Sequence, residues 1–173
     1  MKNKIKRYLK EIVIFFIFIT ILTNAISIYK SSDLNKEALQ NINITLLDAK
    51  NYTYPKDKPI LIHFWATWCP TCKLEASNIQ TISENFEVLT IAVSSGTDRE
   101  VKKYMHEHNL NYKVYNDTNG FFAQEFKIAA YPTTFIYDKN KKLVFSEVGF
   151  TSTLGLWLRM WLASFDMSDL PIE

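Results

Sequence analysis

A chain of 173 residues with 47% hydrophobic and 22% charged content suits one compact domain of ~100 to 200 residues with a segment to spare, and excludes disorder and low-complexity architectures. The formal net charge of +2 is uneven: Lys2, Lys4, Lys6, Arg7 and Lys10 against Glu11 put +4 in the first eleven residues and leave −2 for the rest. That balance offers no basic face to nucleic acid, and two cysteines are too few for a disulfide-stapled scaffold.

Residues 1–11 form a basic tail. Residues 12–29, IVIFFIFITILTNAISIY, carry no charge, and a helix of that length at ~1.5 Å per residue reaches ~27 Å, nearly the thickness of the hydrocarbon layer. This run is expected to be a transmembrane helix in contact with membrane lipid. The excess of Lys and Arg ahead of it keeps the amino terminus in the cytoplasm and places the rest of the chain on the outer side. A cleaved signal peptide is the competing reading. Ile12 to Leu22 followed by Thr23-Asn24-Ala25 fits that pattern weakly, and the uncharged run continues to Tyr29.

Residues 30–41, KSSDLNKEALQN, are polar and read as a linker to a domain over 42–165, with 166–173 as a tail. Within the domain, Ile42 to Leu47 alternates like a half-buried strand, whereas Ile60 to Ala66 (ILIHFWA) is nearly all apolar and reads as a strand buried on both faces. A helix is expected to begin at Pro70, with Leu74, Ile79, Ile82 and Phe86 as its apolar face. Val88 to Val93 is the next buried strand. Thr97 and Glu100 have capping-box spacing ahead of a helix carrying Val101, Tyr104, Met105 and His108. Tyr112 to Tyr115 reads as a short strand, and a short helix follows Asn119-Gly120 through Phe126. Thr133 to Tyr137 and Lys142 to Val148 flank the turn-rich Asp138-Lys139-Asn140-Lys141 and predict an antiparallel hairpin. A last helix carries Leu154, Leu158, Trp161 and Phe165, with Trp157 and Trp161 expected to cover the sheet. The alternation predicts an α/β domain, a sheet flanked by helices.

Cys69 and Cys72 form a C-x-x-C motif where the buried strand gives way to the helix. Positions i and i+3 of a first turn lie ~5 to 6 Å apart at Cβ, so a small adjustment closes a disulfide. Cys69 sits at the positive end of the helix, which favours its thiolate and makes it the expected nucleophile; Cys72 is then the resolving thiol. A purely structural bridge is a poor alternative, since closing a two-residue gap restrains little of the unfolded chain. A zinc site lacks ligands: there is no second cysteine pair, and His106 and His108 point apart on their helix. A non-catalytic module holding Cu(I) on the two thiolates is the rival from another class.

Residues 63–73, HFWATWCPTCK, resemble the active-site segment of the thioredoxin superfamily, in which Trp68 precedes the first cysteine. Tyr131-Pro132-Thr133 is similar to the family's cis-proline loop, and Lys142 to Phe150 (KLVFSEVGF) to its closing hairpin. The W-C-P-x-C-K-x-E form, ending at Glu75, is most similar to the membrane-anchored TlpA-like branch, which includes the suppressor-of-copper-sensitivity D proteins and the cytochrome c maturation thiol reductases. The resemblance implies a thioredoxin fold, a central mixed sheet flanked by helices, and a thiol:disulfide oxidoreductase in the periplasm or on the outer face of the cytoplasmic membrane. It implies no cofactor. Its expected partners are cysteine-containing extracytoplasmic proteins and a membrane redox partner that resets the cysteines. It further implies that Pro132 is cis beside Cys69 and that the backbone at Tyr131 pairs with substrate.

His63 departs from the pattern, since thioredoxins hold a buried aspartate there and many TlpA-like proteins an asparagine. A histidine in that place can take a proton from Cys72; the alternative is a core histidine bonded to backbone. Glu75, three residues after Cys72, is either a carboxylate that shuttles protons for the cysteines or an exposed helix glutamate. The direction of transfer is open. The loop Ala130-Tyr131-Pro132-Thr133-Thr134-Phe135 lacks the Gly-Ala-Pro-Glu signature of one cytochrome-maturation group, which favours a general role.

Overall fold

The computed structural model describes residues 43–165, together with Tyr8, residues 10–15 and Phe18, which are helical. Most of the expected anchor at 12–29, the linker at 30–41 and the tail at 166–173 lie outside the described residues. Among the described residues no helix is long and apolar enough to cross a membrane.

The strands are β1 (Asn43–Thr45), β2 (Asn51–Thr53), β3 (Ile60–Trp65), β4 (Glu87–Val93), β5 (Lys113–Asp117), β6 (Thr133–Tyr137) and β7 (Leu143–Val148). The helices are α1 (Pro70–Ser83), α2 (Asp98–Glu107), α3 (Phe121–Glu125) and α4 (Thr153–Ser164). Strands β1 and β2 form an antiparallel pair of their own, and the main sheet has the order β5-β4-β3-β6-β7. In it β3, β4 and β5 are parallel, while β6 and β7 run antiparallel to their neighbours. This is the expected mixed sheet with an antiparallel pair at one end.

Strand β3 is buried along its whole length because it has a core on each side. Leu61 and Trp65 pack with α1, α2 and α4, whereas Ile60, Ile62 and Phe64 pack with α3 and the β1–β2 pair. Alternating side chains feed both layers, so a polar residue is tolerated only with a partner. The turn between β6 and β7 is tied by Asp138, whose Oδ1 accepts the backbone N–H groups of Asn140 and Lys142 at 2.9 and 2.8 Å. The capping box at the start of α2 forms as the spacing predicts: the Thr97 hydroxyl accepts the Glu100 N–H, and the Glu100 carboxylate accepts the Thr97 N–H.

Two helix faces differ from expectation. On α1 the buried positions are Cys72, Glu75, Ala76, Ile79 and Ile82, and Leu74 is 72% exposed. Counting back from Ile79 by three, four and seven reaches Ala76, Glu75 and Cys72, while Leu74 falls on the far side of the turn. On α4 the buried residues are Leu156, Met160 and Ala163, and Leu154, Trp157, Leu158 and Trp161 are exposed. The segment TLGLWLRMWLAS is apolar nearly all round, so its periodicity does not select a face. Arg159, one turn after Leu156, pairs with Glu147 on β7 at 2.8 Å. Trp157 and Trp161 stack on each other, with Phe86 and Phe165 at their edges, rather than covering the sheet.

Candidate functional site

The chain leaves β3 at Trp65 and enters α1 at Pro70, and everything between is arranged around Cys69. Pro70 occupies the first helical turn, where its missing N–H costs nothing. Cys69 is the N-cap residue, with extended backbone angles of φ −88° and ψ 114°. A cysteine there replaces the usual capping oxygen: its Sγ accepts the Cys72 N–H at 3.1 Å. The approach to the helix is held by Ser95, which accepts the Thr67 N–H and donates to the Val93 carbonyl, both at 3.0 Å. Cys69 and Cys72 are joined by a disulfide with their Cα atoms 5.3 Å apart, and both are buried.

Trp68 stands out from the surface at 60% exposure. Its indole N–H donates to the Ser94 carbonyl at 3.1 Å, and its ring meets Tyr131 edge-on with centroids 5.6 Å apart. That contact brings the loop before β6 to the residue preceding the disulfide. The Tyr131-Pro132 bond is cis. The loop is fixed from two sides, by the Gly149 N–H donating to the Pro132 carbonyl at 2.8 Å and by the Thr133 hydroxyl donating to Ala130 at 2.8 Å.

His63 and Glu75 are both in the core. His63, 2% exposed, shares its face of β3 with Leu61 and Trp65, the side on which α1 packs. Its Nδ1 lies 2.9 Å from the Thr134 hydroxyl, so its partner is a side chain rather than backbone. Burial pushes its pKa down to about 3, which keeps the imidazole neutral at ordinary pH. Glu75 is 0% exposed, one turn beyond Cys72 on the buried face of α1. One carboxyl oxygen accepts the Thr151 N–H at 3.0 Å, and the other has no partner. Burial pushes its pKa up to about 8, with the nearby Glu147 adding to the effect and the Thr151 hydrogen bond opposing it. The alternative of an exposed helix glutamate is therefore overturned.

Sequence reasoning missed Ser95, Thr134 and Thr151. Their partners Thr67, His63 and Glu75 lie 28, 71 and 76 residues away, and no local pattern signals contacts over such separations. Among the described residues no group of three or more His, Cys, Asp or Glu is arranged to hold a metal ion.

Two sulfurs that can bond or part across one helical turn trade their disulfide with other thiols. On this sheet, with this loop beside them, they make the protein a thiol-disulfide oxidoreductase of thioredoxin fold. Comparison with known proteins agrees. The profile of the AhpC/TSA family matches residues 33–146, and the chain belongs to that family. It is 28% identical over 167 residues to a thioredoxin-like protein of Haemophilus influenzae, covering 94% of this chain and 98% of that one. It is 33% identical over 90 residues to the thiol-disulfide oxidoreductase ResA of Oceanobacillus iheyensis, a match spanning about half of each, 50% and 47%. Among solved structures, StoA from Bacillus subtilis superposes with a TM-score of 0.63 at 19% identity, over 73% of this chain and 99% of that one. A thioredoxin-like protein from Neisseria meningitidis gives 0.67 at 22% identity, over 80% and 95%. These structural likenesses show the fold.

Proposed function

We propose that the protein is anchored in the cytoplasmic membrane by residues 12–29 and carries a domain over 42–165 on the outer side, where Cys69 attacks disulfides of extracytoplasmic proteins. The observation that carries the assignment of roles is the position of Cys69 at the N-cap of α1, where its Sγ accepts a backbone N–H. A thiolate formed there meets unpaired helix N–H groups and the positive end of the dipole, worth ~0.3 to 1 kcal/mol when exposed and more when partly buried. Cys72, one turn inside and 2% exposed, resolves the mixed disulfide. The charge asymmetry of the amino terminus supports the anchor and its orientation.

Trp68 and Tyr131 serve as the support on which an extended substrate segment lies, with the backbone at Tyr131 pairing with that segment and Pro132 beside it donating nothing. Phe150, exposed and next in sequence to the Gly149 that holds the Pro132 carbonyl, adds apolar surface that a protein substrate would cover. His63 and Glu75 are the buried groups proposed to serve the proton of Cys72: both are neutral near pH 7, so neither leaves a standing buried charge, and Glu75, whose pKa is pushed up to about 8, is the one matched to exchanging a proton there. A membrane redox partner with its own cysteines resets the pair.

Trapping in cells tests this reading. The Cys72→Ser variant is expected to accumulate mixed disulfides through Cys69 with extracytoplasmic proteins, and Cys69→Ser to accumulate none. Equal trapping by both variants, or failure of the wild type to reduce insulin while binding Cu(I) stoichiometrically, would overturn it.

A further inference from the structure

Helix α4 leaves an apolar stripe uncovered. Leu154, Trp157, Leu158, Trp161 and Phe165 recur at helical spacing and so lie on one face, and they are 43 to 76% exposed. Trp157 and Trp161 lie nearly parallel with centroids 6.5 Å apart, and Phe86 and Phe165 meet their edges. The one charged residue of the helix, Arg159, pairs with Glu147 on β7, so the stripe carries no charge. The opposite face, Leu156, Met160 and Ala163, already supplies the contact with the core.

Large side chains of this kind carry roughly 200 Å² each, so five that are about half exposed leave about 500 Å² open to water. A stable complex of two independent copies buries roughly 800 Å² on each partner, more than the stripe offers. A surface to which the domain is already tied needs less, because the tether supplies the effective concentration that a small contact lacks. Residues 30–41 span at most ~43 Å at ~3.6 Å per residue, which is comparable with the ~35 Å width of a domain of this size. They join the domain at β1, in the layer on the other side of the sheet from α4, and their reach lets the domain turn its α4 side to the bilayer without leaving it. Their only apolar side chains are Leu34, Ala38 and Leu39, too few to cover the stripe themselves.

We infer that the α4 stripe of Leu154, Trp157, Leu158, Trp161 and Phe165 rests on the outer surface of the lipid bilayer. The inference rests on the anchor proposed at residues 12–29. Tryptophan favours the boundary between headgroups and acyl chains, and a helix lying in that plane buries its apolar face ~5 to 10 Å deep. With no basic residue on the stripe, the contact does not depend on anionic lipid. It also orients the redox site. Glu75 meets Thr151, Asn78 meets Thr153 and Phe86 meets Trp157, so α1 and α4 run in the same sense. Seating α4 therefore places the Cys69 end of α1 beside the start of the contact rather than across the domain from it.

The test uses the full chain in phosphatidylcholine vesicles containing lipid brominated at the upper acyl carbons, which quenches indoles at that depth. The chain has four tryptophans; Trp65 is buried and Trp68 lies beside Tyr131 at the disulfide. At a depth of ~5 to 10 Å, Trp157 and Trp161 should make quenching of the parent at least about threefold stronger than that of Trp157→Phe/Trp161→Phe. Adding phosphatidylglycerol should leave it unchanged. Leu154→Glu/Leu158→Glu keeps both tryptophans, alters only exposed positions, and should lose most of the quenching. Equal quenching of the parent and the phenylalanine variant, quenching that survives the two glutamates, or quenching that needs phosphatidylglycerol would overturn the inference. So would shielding of Trp157 and Trp161 from aqueous iodide without quenching by brominated lipid, since protein, a second copy or the chain's own linker, would then cover the stripe. An alkaline wash of the vesicles separates the inference from its premise. A chain released by the wash has no anchor, and both readings fall; a chain retained with Trp157 and Trp161 unquenched refutes the seating of α4 alone.

Discussion

Replacing Glu75 by glutamine should change how the stability of the oxidised protein depends on pH. Glu75 is 0% exposed, one oxygen accepts the Thr151 N–H at 3.0 Å, and the other has no partner. The unfolded chain releases this proton at the ordinary value of 4.5, while burial defers release in the folded protein to about 8. Between those limits the native state holds a proton that the unfolded state has lost, so stability falls as pH rises through the window. The cost is absent below about 4.5, grows by about 1.4 kcal/mol per pH unit, and reaches at most roughly 5 kcal/mol above about pH 8. Glutamine keeps an acceptor for Thr151 and does not ionise. Its buried NH2 has no better partner than the protonated carboxyl has, so near pH 5 the two proteins should agree within about 1 kcal/mol. Near pH 8.5 Glu75→Gln should be more stable by several kcal/mol. Urea titrations of both proteins with the disulfide intact, at about pH 5, 6.5 and 8.5, measure this difference, and other titrating groups cancel in it. A difference constant across the range to within about 0.5 kcal/mol would show that Glu75 ionises in the folded protein as it does in water, and the reasoning from its burial would be wrong.

Two further outcomes are expected. Trp68→Ala removes the indole hydrogen bond to Ser94 and the edge contact with Tyr131 at an exposed position, so insulin reduction should lose about tenfold through KM while stability falls by no more than about 1.5 kcal/mol; an unchanged KM refutes a role in holding substrate. Gly149 has φ +101° with nothing within 4 Å of an added Cβ, so Gly149→Ala carries only the backbone cost of about 1 to 2 kcal/mol, measured by thermal unfolding; a change below about 0.3 kcal/mol would contradict that conformation.

What was legible in the sequence was what local chemistry determines. A strand buried on both faces must be apolar throughout, and ILIHFW is readable for that reason. Proline after a cysteine marks a helix start, which located the disulfide at the head of α1. The face of α4 was illegible because leucine and tryptophan surround it on every side, and its contacts, such as the ion pair from Arg159 to Glu147, are with residues distant in sequence. Strand β2 was missed because three residues, with only Tyr52 buried, are too few to show a period. Glu75 shows the boundary most clearly: spacing from Cys72 set its side of the helix, but its burial depends on Thr151, 76 residues later.

The proposed roles divide the work at the site between charge and protons. His63 and Glu75 are buried titratable groups on the side of the sheet where α1 packs, and burial keeps both neutral near pH 7. Neither therefore supplies a standing charge to stabilise a thiolate. The first turn of α1 holds no acidic residue, so electrostatic support for the Cys69 thiolate falls to the helix terminus, whose N–H groups carry a partial charge of about +0.5. A buried cation beside Cys72 would stabilise the thiolate further but would cost several kcal/mol to desolvate. Neutral groups avoid that cost, and in the proposed roles they leave stabilisation of the thiolate to the helix terminus. Once Glu75 ionises above about pH 8, its charge lies one turn from Cys72 and opposes the thiolate there, so the division holds only while the carboxyl keeps its proton.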